Sequence, residues 1–245
     1  MADIPVAVAD RVAAGADAIK IVLTGIIDFS RAAVRGAPQF TARELELLVA
    51  CAHDAGLPTL AHCSGAAGID LALAAGVDSI EHGFIMRPDQ VDALAANDAT
   101  WVPTFTPVAF QRDEPDWVGW EPDAVDGQQR MLADHTATLR RALVAGVRLL
   151  VGSDACSHGV PHGAGLLREC RLMQAAGCDL AQVLTAVTSA PRQAWGLPGG
   201  HIAIGQPADL ALFDATATAG VDALAHPHGV WIAGHQLVDR HALRS

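Results

Sequence analysis

Short apolar runs alternate along the chain with longer stretches whose apolar residues repeat at helical spacing. This is the pattern of repeated βα units that pair their strands in parallel. Strands are predicted over Ala18–Leu23, Pro58–His62, Ser79–His82, Thr100–Thr104 and Leu149–Ser153, with helices over Thr41–Ala55, Gly65–Ala75, Pro88–Asn97 and Gln128–Ala145. Gly56, Gly76 and Gly146 stand where helices need a left-handed cap. The unit recurs almost word for word in Ala-Gly-Ala-Asp-Ala-Ile-Lys20, Ala-Gly-Val-Asp-Ser-Ile-Glu-His82 and Ala-Gly-Val-Arg-Leu-Leu-Val-Gly-Ser-Asp154. Each runs helix end, glycine, strand, then a polar residue at the strand's carboxyl end. The stretch from Pro107 to Gly127, with Trp117 and Trp120, reads either as a lid over the strand ends or as an excursion without structure of its own.

Composition narrows the class. With 51% hydrophobic and 18% charged residues, 245 residues suffice for one large core or a barrel-sized domain. A net charge of -11 argues against a nucleic-acid or acidic-membrane partner, because phosphate neutralisation needs clustered Lys and Arg. No apolar stretch of about 18 residues runs free of charge, Gly or Pro, and the start Met-Ala-Asp-Ile-Pro lacks a basic leader, so a cytoplasmic location is expected. The five cysteines show no Cys-x-x-Cys spacing and suggest neither a disulfide framework nor a thiolate zinc site; most read as small buried hydrophobes.

One lysine stands among sixteen lysine and arginine residues, and it lies inside the apolar run Ala-Ile-Lys20-Ile-Val-Leu. Arginine supplies charge and forked hydrogen bonds, whereas a buried lysine amine can shed its proton and act as nucleophile, base or ligand. A strand-end lysine that snorkels to water is the plainer reading. The other strands add weight to the chemical one. In parallel α/β folds, ligand and catalytic groups gather at the carboxyl ends of strands. Lys20 lies on the first strand, His62 ends the second, His82 the third, and Asp154 follows the fifth. Singly, a strand-end histidine is more often a hydrogen-bonded histidine than a ligand, and an aspartate opening a turn is commonly a cap. Recurring on successive strands, two imidazoles, a carboxylate and an amine form a set able to hold a divalent metal and activate water. Beside Asp154, the segment Ala155 to Gly163 adds His158 and His162 as candidate substrate-binding residues.

The segments Ala-Asp-Ala-Ile-Lys-Ile with Thr24-Gly25, Leu60-Ala61-His62, Asp78-Ser79-Ile80-Glu81-His82-Gly83 and Val151-Gly152-Ser153-Asp154 resemble the metal-dependent amidohydrolase superfamily, its imidazolonepropionase-like and dipeptidase-like branch. The tail resembles that family's returning β-sandwich, in His201 to Asp214 and in Gly229-Val230-Trp231-Ile232-Ala233-Gly234. The resemblance implies a (β/α)8 barrel of TIM type, here incomplete with strands four to eight, over residues 1–197. The C-terminal part of a small β-sandwich would occupy 198–245. It implies that Lys20, carboxylated by carbon dioxide, bridges two metals, that His62 and His82 bind the second metal, and that Asp154 binds the first. Zinc, as one or two ions, suits two imidazoles and carboxylates best. His162 falls in a Pro-His-Gly that the branch also shows. The activity implied is hydrolysis of a C–N bond in an amide, cyclic amide or dipeptide by a metal-activated water, with Asp154 taking a proton and passing it to the leaving nitrogen.

The family's first barrel strand carries a His-x-His pair, and no histidine precedes Lys20. Pro5 to Gly15 is then the helix before the fourth strand, and the first three strands fall outside the chain. The pair His226-Pro227-His228 sits in the tail beside a proline and reads as a loop feature. Alternatives follow: a truncated chain, inactive alone; a split enzyme completed by a second polypeptide or missing N-terminal segment; or a non-catalytic binding protein holding one metal or none. The partner expected is a small-molecule substrate, with a homo-oligomer left open.

Overall fold

The computed structural model describes residues 3–214 and 220–239, with the side chains of His158 and Asp239 outside that description. Helix α1 (Ile4–Ala13) leads into strand β1 (Ile19–Val22), a small hairpin of β2 (Ile27–Asp28) and β3 (Ala33–Val34), and α2 (Ala42–Asp54). Next come β4 (Thr59–Cys63), α3 (Ala66–Ala75), β5 (Ser79–His82), α4 (Pro88–Ala96) and β6 (Thr100–Val102). After β6 the chain forms α5 (Phe105–Asp113), α6 (Pro115–Val118) and the long α7 (Pro122–Ala145) before β7 (Arg148–Leu149). The last part contains α8 (Ala164–Ala176), α9 (Leu180–Val187), α10 (Ser189–Ala194) and strands β8 (Leu210–Leu212), β9 (Gly229–Ile232) and β10 (His235–Asp239).

Five strands form one parallel sheet in the order β1-β4-β5-β6-β7. Its unbroken sequence order, with helices between strands, is that of an incomplete TIM-type barrel. Laterally paired residues point to the same face. The register Val22↔His62↔Glu81↔Val102 therefore draws one row across the sheet on the face that would line a barrel's interior. The alternate residues Ile19, Ile21, Ala61, Cys63, Ile80, Trp101 and Leu149 enter the main core with Leu45, Val49, Ile69, Leu94, Leu139 and Met173 from the helices. Each large side chain buried there is worth about 1.5–3 kcal/mol. On the inner face, Ala190, Ala194 and Trp195 pack over Val102 and Leu150, leaving the β1 end open.

The tail folds as a three-stranded antiparallel sheet, order β10-β9-β8, on which Leu210, Leu212, Ile232 and Leu237 are exposed. Among the described residues no helix is long and apolar enough to cross a membrane.

Several boundaries differ from the expected ones, each for a local reason. The predicted strand Leu149–Ser153 pairs only through Arg148–Leu149: Leu150 N–H still donates to the Trp101 carbonyl at 2.9 Å, but Val151 N–H turns to Ala186 at 3.0 Å. The stretch from Pro107 to Gly127 is neither structureless nor a loop, since α5 and α6 fill it and α7 starts at Pro122 rather than Gln128. Its prolines fall in first turns, where the missing N–H costs nothing.

Candidate active site

His62 is the penultimate residue of β4 and His82 the last of β5. Strict alternation would send His82 to the face opposite its neighbour Glu81, among the core residues. It does not, because His82 adopts a left-handed backbone at φ 70°. That region is unusual for a residue with a side chain and is commonly kept where function demands it. The turn is held by Trp101, whose indole Nε1 donates to the His82 carbonyl at 2.9 Å. The two imidazoles then meet edge to face with ring centroids 4.5 Å apart. Asp154 also has a left-handed backbone, at φ 46°, in the loop after β7.

His62, His82 and Asp154 line one cavity of about 170 Å³ at the carboxyl ends of the strands. Its remaining wall is largely apolar, with Phe29, Phe84 and Trp120 the main surfaces. Phe29 comes from the loop of the β2–β3 hairpin, an element with no forecast in the sequence, and meets Trp120 edge-on at 5.6 Å. Trp120, from the stretch considered for a lid, is among the residues that line this cup. Trp117 is exposed.

Lys20 is placed differently from expectation. It is not buried: 51% of its side-chain surface is accessible, because β1 is an edge strand and nothing described here covers its inner face. The residue borders a separate cleft with Val8, Phe40 and Leu48. Its Nζ lies 4.0 Å from Glu81 Oε2, on the neighbouring row of the same face. Surrounding protein lowers the Lys20 pKa, and the charges of Glu81 and Asp154 oppose that.

Electrostatics favour neutral imidazoles. Burial, then the charges of His62, Lys20 and His135, push His82 down to about 3. Burial and Lys20 likewise lower His62, partly countered by Asp154 and the Gly25 backbone. Burial raises the carboxyl groups of Glu81 and Asp154, with Lys20 the main opposing influence. Neutral imidazole nitrogens beside a carboxylate are donors that suit a divalent ion of zinc's type. The cluster is open rather than closed. Among the described residues no three His, Cys, Asp or Glu side chains are drawn together tightly enough to hold a cation alone.

His162 is exposed, with Nε2 3.0 Å from Cys156 Sγ, and does not line the cavity; Ser157 does. The side chain of His158 lies outside the described residues. Cys63, Cys170 and Cys178 are buried as expected, Cys51 is half-buried, and the exposed Cys156 departs from that reading.

Two contributors carried no sequence signal. Thr104, just past β6, places Oγ1 2.7 Å from His82 Nδ1. His135 of α7 is fully buried against Phe84, Trp101 and Phe105, with Nε2 3.0 Å from the Pro103 carbonyl oxygen. A histidine in a helix midway between strands has nothing in its spacing to mark it, and a threonine at a strand end reads as a turn former.

The model of the amidohydrolase family matches residues 2–237. No curated protein matches the chain. Among solved structures, a Xaa-Pro dipeptidase with methionine bound in its active site is 27% identical with a TM-score of 0.83; the match covers 96% of this chain and 58% of that one. A protein of Bifidobacterium longum assigned as a prolidase gives the same four values. The A. niger ochratoxinase, at 20% identity and TM-score 0.83, covering 97% of this chain and 54% of that one, bears on the fold alone. The chain thus spans little more than half the length of these structures.

Proposed function

The chain belongs to the amidohydrolase family, and from that premise we propose that it hydrolyses a C–N bond of a small amide, cyclic amide or dipeptide in a metal-dependent reaction. The observation that carries this reading is the shared cavity: His62 and His82 from neighbouring strands, turned to one side by the left-handed backbone of His82, with Asp154 on the same wall. The dipeptidase likeness at 27% identity supports the amide as the bond type.

His62, His82 and Asp154 would hold a divalent ion, zinc by the chemistry of the donor set. Lys20, half-exposed on the same face of the sheet beside Glu81, would join them as a carbamate, formed when its amine captures carbon dioxide and releases a proton. When bound, such an ion polarises the scissile carbonyl and makes water a better nucleophile at neutral pH. The chain's own residues do the rest. Phe29, Phe84 and Trp120 seat the apolar part of the substrate and keep bulk water from the reacting bond. The Asp154 carboxylate takes the proton of the attacking water and returns it to the leaving nitrogen, so that carboxylate and amine are the products. The Thr104 hydroxyl orients the His82 ring through Nδ1, so that Nε2 would be its nitrogen available to an ion.

Two observations favour a second reading: the half-exposed Lys20 and the open ligand set suit a protein that binds an apolar small molecule without turning it over. A panel of small amides, cyclic amides and dipeptides, incubated with the zinc-supplemented protein, separates the two. Hydrolysis that falls at least a hundredfold in Asp154→Asn is expected; binding without turnover by the unaltered protein would contradict the hydrolase reading.

A further inference from the structure

The turn from β6 into α5 is built in an unusual way. Thr104 is the residue before the helix, where a threonine normally gives its side-chain oxygen to the backbone N–H groups of the first turn. Here it makes no such cap. It is buried, its backbone is left-handed at φ 51°, and its hydroxyl lies instead against His82 Nδ1. A β-branched residue rarely takes this backbone unless its surroundings impose it.

The cap is supplied from elsewhere. Glu169, on α8, has no exposed surface. Its Oε1 accepts from the Phe105 N–H at 2.8 Å; its Oε2 accepts from the Thr106 N–H at 2.7 Å and the Thr106 hydroxyl at 2.6 Å. A carboxyl group at a helix N-terminus satisfies the orphan donors there. On the other side of the turn, His135 Nε2 holds the Pro103 carbonyl.

We propose that Glu169 is a positioning residue for His82: by capping α5 in place of Thr104, it frees the Thr104 hydroxyl to hold the imidazole in one orientation through Nδ1. Such outer contacts set how well a histidine presents its other nitrogen. The inference deepens the metal-dependent reading above, but its primary readout does not depend on metal.

The test uses the full chain labelled with 15N-histidine, in metal-free form, as the unaltered protein and as Glu169→Gln, Thr104→Val and the double variant. His82 ring nitrogens are identified by their loss in His82→Asn. The unaltered protein is expected to show the His82 Nδ1 resonance at a hydrogen-bonded position, and each single variant to shift it towards that of a free ring nitrogen. Zinc affinity, from competition with a chelator, is expected to fall about 10- to 100-fold in each single variant, with the double no weaker than the worse single. Met173→Ala, a core truncation on the same helix, is expected to lower the melting temperature without moving the His82 resonances. Unchanged His82 resonances in Glu169→Gln, or zinc losses that multiply in the double variant, would overturn the proposal. If Glu169→Gln does not fold, Glu169→Asp, which keeps the carboxyl group but withdraws it by one methylene, decides on the same readouts. Should no form hold zinc, the metal reading fails while the ring resonances still decide this one.

Discussion

At His82 the chain leaves strand geometry through a left-handed backbone at φ 70°, and the convergence of the two imidazoles depends on it. The Trp101 indole N–H on the His82 carbonyl and the Thr104 hydroxyl on its ring fix that departure from two directions. Trp101 is fully buried, so Trp101→Phe leaves a carbonyl without its partner. We expect a loss of about 1–3 kcal/mol in urea unfolding, together with weaker metal binding; unchanged stability would show that the indole contact does not hold the turn. The strand-end positions of His62 and His82 were legible because strand period and glycine caps locate strand ends closely. Their convergence was not, since alternation alone sends His82 to the other face. The exposure of Lys20 was equally hidden: the run Ile-Lys-Ile-Val reads as an interior strand, and only the sheet order makes it an edge. Thr104 and Glu169 are far apart in sequence, and nothing local couples them.

Among the elements, the repeated βα units were readable to within about a residue for β1, β4 and β5, whose apolar runs end in glycine or polar residues. The α5–α6 region was not, because Pro107 and Pro115 look like breakers and act as first-turn residues. The β2–β3 hairpin was missed because its two-residue strands carry no periodicity. Yet this hairpin brings Phe29 to the cavity, and it is seated on α7 through Gly127. A Cβ added at Gly127 would lie 1.9 Å from the Phe29 carbonyl oxygen. In an open helix, alanine for glycine gains about 1 kcal/mol; here overpacking against backbone costs about 1–3 kcal/mol or more. Gly127→Ala is therefore expected to be net destabilising in denaturant unfolding and to loosen the Phe29 wall. A stabilised Gly127→Ala protein would mean that the hairpin is not packed on α7 as described.

Across the whole molecule, two fully buried titratable groups pull stability in opposite directions with pH. Burial pushes His135 down to about 4, so between its ordinary 6.5 and 4 the unfolded chain takes up a proton that the folded one refuses. Stability from this group is fully present above about 6.5 and falls as pH drops towards 4, by about 3 kcal/mol. Burial pushes Glu169 up to about 7, against the hydrogen bonds from Thr106 and Phe105. Folding then favours its protonated form, and its contribution is greatest below the ordinary 4.5 and is lost as pH rises to about 7. The windows nearly coincide, so the two largely cancel. Glu169→Gln removes one of them. Its stability deficit relative to the unaltered protein, from urea unfolding at a series of pH values, is expected to grow as pH falls from 7 to 4.5; a deficit independent of pH would contradict this balance.

The same scale holds the central claim, that side chains from separate strands and a distant loop act as one metal-holding site. Elemental analysis of the purified chain after growth in zinc tests it most directly, with His62→Ala and His82→Ala alongside. The account predicts at least one equivalent of zinc in the unaltered protein and its loss in both variants. Less than one equivalent, or a metal content that both substitutions leave unchanged, would contradict it.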